Sequence, residues 1–211
     1  MRSRSINPWT RFALTVLLVA ACAGLTSLGF WQLHRAHEKQ SRYQAFSERH
    51  SAAPVAFDTI APRTPLSENL WRRLSVRGHY LDQHIVLDNR SHQGQPGYEV
   101  LTPFVADSGQ AVLVNRGWVP LPDSRNTVPD TLAPADPTTI SGYVGPEPTV
   151  GIDLDARAAD AEIMSPQVFR VQRVKVAGVE SLLDRPLWPG IIYLDAEALG
   201  ALTVDWQLPG D

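Results

Sequence analysis

The chain has 211 residues, 19 of them basic and 22 acidic, and 44% of its residues are hydrophobic; this is enough for one domain with a real core and too little for two large ones. Its formal charge of -3 is unevenly spread: residues 1–42 hold six Arg or Lys against one Glu, and residues 43–211 hold thirteen against twenty-one acids. An acidic body with no cluster of Lys and Arg interleaved with aromatics after residue 77 excludes a nucleic-acid partner, and a single cysteine, Cys22, excludes a disulfide framework and any Cys-x-x-Cys site.

Residues 1–11 contain Arg2, Arg4 and Arg11 without an acid and are expected to be a cytoplasmic N-terminus. Residues 12–33, FALTVLLVAACAGLTSLGFWQL, are uncharged and, at about 1.5 Å per residue, reach across a hydrocarbon core of roughly 30 Å, so a transmembrane helix is predicted. Trp9 and Trp31 stand near its ends, where amphipathic rings favour the interface. Val19-Ala20-Ala21-Cys22 also fits a lipoprotein cleavage box, and this supports an alternative reading as a lipid-anchored envelope scaffold or binding module. Residues 34–50 are rich in helix formers and lack proline, which predicts a helical stem. His34 and His37 share a face of that stem just outside the apolar run; they are candidate ligands for haem iron, or else solvated side chains.

Residues 54–205 read as a β-rich extracytoplasmic domain. In WRRLSVRGHY, Leu74, Val76 and Tyr80 alternate with polar residues, as a half-buried strand requires. HIVLDNR, GYEVLTPFV and AVLVNRGWV follow as further strands, each bounded by Gly, Pro, Asn or Asp. A Pro-rich loop is expected over 120–138, then a strand at TTISGYV, a strand at QVFRVQRVKV, a short helix at VAGVESLLDR and a strand at IIYLDAEAL. The fold class is therefore mainly β, an antiparallel, barrel-like or strongly curved sheet with a few short helices. His79 and His84 flank a turn and are read as surface hydrogen-bonding residues.

No Gly-x-Ser-x-Gly elbow, phosphate-binding Gly loop or paired carboxylate spacing occurs, so no enzymatic chemistry is predicted. The most suggestive polar set is Arg77, Arg90 and Arg116, each at or near the end of an apolar strand, with Trp118 beside the last. Their guanidinium groups suit either an internal ion pair to one of the body's acids or a carboxylate-bearing ligand such as a haem propionate. VLDNR and VLVNR match at four of five positions, so two strands end in the same Asn-Arg.

These motifs in order resemble the surfeit-locus-one family of cytochrome c oxidase assembly factors: Gly29-Phe30-Trp31-Gln32 with Arg35 and Lys39, Arg77-Gly78-His79-Tyr80, Asn89-Arg90, Gly97-Tyr98, Thr102-Pro103, and the run from Val112 to Pro120. The resemblance covers residues 28–120 well and 139–195 more loosely. It implies a domain tethered on the periplasmic side of a bacterial inner membrane that assists a haem-copper oxidase, meeting oxidase subunits or the haem a synthesis machinery and handling haem a transiently. It also implies a second membrane helix near the C-terminus that carries a histidine ligand. In this sequence residues 206–211 stand where the linker to that helix would start, and no histidine follows His92.

Overall fold

The computed structural model describes residues 8–60, 64–148 and 161–206; residues 1–7 of the expected cytoplasmic segment and the expected linker beyond Trp206 lie outside them. It divides into an N-terminal unit that ends at Ser47 and a second unit, Glu48–Gln207. Helix α1, Pro8–Ser51, dominates the first. Its stretch Val16–Glu38 is long and apolar enough to cross a membrane, and none of it is buried within the protein. Leu17, Leu18, Val19 and Leu25 project outwards from it, an apolar surface suited to lipid rather than water.

The second unit is a nine-stranded mixed sheet. Its strands are β1 (Val55–Ala56), β2 (Arg73–Tyr80), β3 (His84–His92), β4 (Gln95–Ala106), β5 (Ala111–Pro120), β6 (Thr138–Gly145), β7 (Glu162–Ile163), β8 (Val168–Val171) and β9 (Ile191–Leu194), with the short helices α2 (Leu66–Asn69) and α3 (Val176–Leu183). The spatial order is β1-β2-β6-β9-β5-β4-β3-β8-β7. A second pairing of β2 with the end of β4, from Gly78 opposite Ala106 to Tyr80 opposite Phe104, closes β2, β6, β9, β5 and β4 into a barrel. Closure removes the free edges of these strands, and β3, β8 and β7 extend outwards from β4.

The expectation of an antiparallel sheet needs correction in three places: β1 lies parallel to β2, β8 to β3, and β9 to β5. Hairpin neighbours such as β3–β4 and β4–β5 are antiparallel because their turns are tight, whereas β9 arrives only after the crossover through α3. Period-two alternation points Leu74 and Val76 of β2, Phe104 of β4, Val112 and Val114 of β5, Ile140 and Val144 of β6, and Ile192 and Leu194 of β9 into one core. Burying each stabilises the barrel by about 1.5–3 kcal/mol. Trp188 and Phe57 join the same cluster, edge to face at 5.5 Å.

His84 also departs from expectation. It is buried, not superficial, because β8 pairs beside it on one flank and β4 on the other; its Nδ1 lies 3.0 Å from Thr102 Oγ1.

Both Asn-Arg pairs fall at bulges on the two strands that flank β4. The register of β3 against β4 shifts between Leu87 and Arg90, where Asn89 takes φ 59°, and the register of β4 against β5 shifts at Val100 and Leu101, opposite Gly117 at φ 116°. The repeated pentapeptide thus marks a repeated backbone device that bends the strand and re-aims the side chains beyond it.

Candidate functional site

Beyond the β5 bulge, Trp118 lies opposite Glu99 on the outer face of the barrel, whereas Arg116 stays inside. On β3, Arg90 and His92 are two residues apart and share the outer face with Glu99. Gly97 sits opposite both Arg90 and Pro120; a Cβ there would overlap the Trp118 indole, so glycine lets that ring cross β4 and reach His92, with ring centroids 5.2 Å apart. From the other side, Tyr193 of β9 stacks on Tyr143 of β6 at 5.4 Å, and Trp206 meets Tyr193 edge to face at 4.9 Å. The chain after β9 returns to this face because Trp118 N–H donates to Thr203 O (2.7 Å) and Thr203 N–H to Trp118 O (3.2 Å). That pairing brings Asp205 and Trp206 to the rim.

The result is a cleft of about 430 Å³ in which aromatic rings alternate with a larger share of polar and charged groups, three carboxylates among them. Glu99 is held by Arg90 Nε at 3.1 Å and by Asn115 Nδ2 at 3.0 Å, and Asn115 Oδ1 accepts Gly117 N–H at 3.2 Å, which couples the bulge to the cleft floor. His92 Nδ1 is 3.1 Å from Asp205 Oδ2. Glu147 accepts from Lys175 Nζ and from Val176 N–H, each at 2.9 Å. Burial pushes the Tyr143 and Tyr193 phenols well above their ordinary range, so both stay neutral, and Tyr193 donates to Pro146 O at 2.7 Å. Trp118 Nε1 is buried without a hydrogen-bond partner among the described residues. Aromatic edges beside oriented, charged groups suit a small, polar ligand.

Of the six residues singled out in the sequence, Arg90 and Trp118 come together here. Arg77 projects from β2 to solvent and pairs with Asp107 at 3.3 Å. His34 and His37 are exposed on α1, where His34 Nε2 lies 3.5 Å from Glu38. Arg116 is engaged by backbone: the residue is 1% exposed and its guanidinium donates to the carbonyls of Gly200, Thr131 and Leu132, each at 2.7 Å, with its carbon 5.4 Å from the centre of the Tyr80 ring. It plugs the end of the barrel. Desolvation lowers its pKa, yet a guanidinium keeps its charge, and burial pushes the Tyr80 phenol up to about 12.

His92, Glu99, Tyr193, Asp205 and Trp206 were not foreseen as site residues. His92 was the one within reach, since a residue two positions beyond Arg90 on a strand must share its face. Among the described residues no group of three or more His, Cys, Asp or Glu is placed to hold a metal ion.

A closed barrel with a cleft on its outer face, in a chain that also carries an apolar helix long enough to span a membrane, defines a small-barrel domain. The sequence pattern of the SURF1 family matches residues 19–208, and the chain belongs to that family. Among its relatives, an uncharacterised SURF1-like protein of Mycobacterium tuberculosis is 28% identical over 211 residues, covering 94% of this chain and 78% of its own. The cytochrome oxidase assembly protein SHY1 of Saccharomyces cerevisiae is 30% identical over 105 residues, 47% of this chain and 27% of its own, and a SURF1-like protein of Drosophila melanogaster is 33% identical over 110 residues, 44% and 36% respectively.

Proposed function

We propose that this chain is a membrane-anchored assembly factor for a haem-copper cytochrome c oxidase that assists haem a delivery to the catalytic subunit and performs no catalytic step of its own. The observation that carries the reading is family membership together with a relative named for cytochrome oxidase assembly that aligns with nearly half the chain. In this reading α1 anchors the chain in a bacterial inner membrane, the barrel works on the periplasmic side, and its partners are oxidase subunits or the haem a synthesis machinery.

The cleft residues do not fit haem a: Arg90 is already paired with Glu99, Tyr193 is covered by Tyr143 and Trp206, and Glu99, Glu147 and Asp205 set three carboxylates around the opening, so the haem part of this reading rests on the family. A deletion strain without a paralogue should lose most oxidase activity and regain it from a plasmid copy; full activity in the deletion strain contradicts the reading.

A further inference from the structure

We propose that the outer-face cleft docks an extended segment of a partner protein that presents an arginine or lysine side chain; this concerns the cleft alone and does not rest on the haem part of the reading above. Charge sets the sign of the occupant. Arg90 and Glu99, both largely buried, pair at 3.1 Å and cancel on the cleft floor. Glu147 and Asp205 are left as the more accessible acids, with side chains 32% and 65% exposed. Their present partners leave room for a further donor. His92 Nδ1 holds one oxygen of Asp205 at 3.1 Å, and a carboxylate has about four lone-pair positions. Lys175, the cation beside Glu147, is itself 65% exposed, so theirs is a surface pair that a better placed cation displaces at little cost. Half-buried Trp71, Trp118 and Trp206 stand among these acids, and indole is the ring that best attracts a cation. Across residues 43–211, twenty-one acids against thirteen Arg and Lys favour the approach of a basic segment.

A second observation, independent of charge, points to a peptide. Trp118 lines the cleft, and its Nε1 is buried without a hydrogen-bond partner among the described residues. An indole N–H only donates, so the fitting occupant brings an acceptor. A simple amine or guanidinium has none to offer, whereas a backbone carbonyl supplies one. Pro146 and Pro148 lie beside the rings, and grooves lined this way take extended segments, whose backbone groups are not already bonded within the segment. A volume of about 430 Å³ admits one long side chain with its flanking backbone, not a folded element.

The test uses the full-length chain in detergent and the fluorescence anisotropy of a fluorescein-labelled peptide, Gly-Pro-Arg-Pro-Gly-amide, with versions that carry Lys, Gln or Glu in place of Arg. The Arg and Lys peptides should bind at least tenfold more tightly than the Gln and Glu peptides, and their affinity should fall as salt is raised. Glu147→Gln/Asp205→Asn should lose that tenfold while melting like the wild type. Asp107→Asn/Glu162→Gln, the same change of charge at exposed acids outside the cleft, should keep it. Ethylguanidinium, the cation without a backbone, should compete only at far higher concentration than unlabelled Arg peptide. No binding of the Arg and Lys peptides, equal binding of the Gln peptide, or an equal loss in the Asp107/Glu162 variant overturns the proposal. Competition by ethylguanidinium at the concentration of the peptide overturns the protein segment as the occupant.

Discussion

Arg116 holds the barrel end together with one charged group. It gathers three carbonyls from two loops that approach from residues 131–132 and 200, so Arg116→Leu leaves one buried and two part-buried acceptors without their donor. The expected loss is about 3 kcal/mol or more, seen as a lower urea midpoint, with Arg116→Lys intermediate because an ammonium cannot match the planar fork. An apolar strand that ends in Asn-Arg-Gly signals an unusual charge, but the sequence cannot name carbonyl partners 15, 16 and 84 residues away. His84, near the same plug, has its pKa lowered from 6.5 to about 4, first by burial and then by Arg116. Because the folded value is depressed, the unfolded chain takes up the proton first. Stability is therefore fully present above about pH 6.5 and falls towards pH 4, by about 3 kcal/mol in all. Melting temperatures across this range should show the slope, and His84→Asn should flatten it.

At the level of elements, the strands were legible because alternation in β2 and the Gly, Pro and Asn boundaries of β3 to β6 are local signals. The bulges were not, since a shift in register depends on what the neighbouring strand presents, and the parallel placement of β8 and β9 depends on crossovers that periodicity does not encode. Yet the β5 bulge decides the site by putting Arg116 inside and Trp118 outside. Gly117, at φ 116° and against the Thr203 carbonyl, is its hinge. Gly117→Ala should cost about 1–3 kcal/mol and loosen residues 202–206, detectable as faster proteolysis there and a change in Trp fluorescence. A variant as protease-resistant as the wild type would show that the backbone pairing to Thr203 does not depend on this conformation.

For the molecule as a whole, the sequence made the apolar helix and the β-rich body evident, and the ordered motifs pointed to the family. The cleft was only partly legible, because it gathers side chains from Trp71 to Trp206 that come together only when the barrel closes. Alkaline carbonate extraction should leave the full-length chain in the membrane fraction, as Val16–Glu38 requires. The central claim is that this family member supports oxidase assembly through the cleft. The most direct measurement is membrane haem a and oxidase activity in a deletion strain carrying Arg90→Gln/His92→Ala, expressed at wild-type level and melting within a few degrees of it. Both quantities should stay near the deletion level; full restoration by this variant would contradict the account.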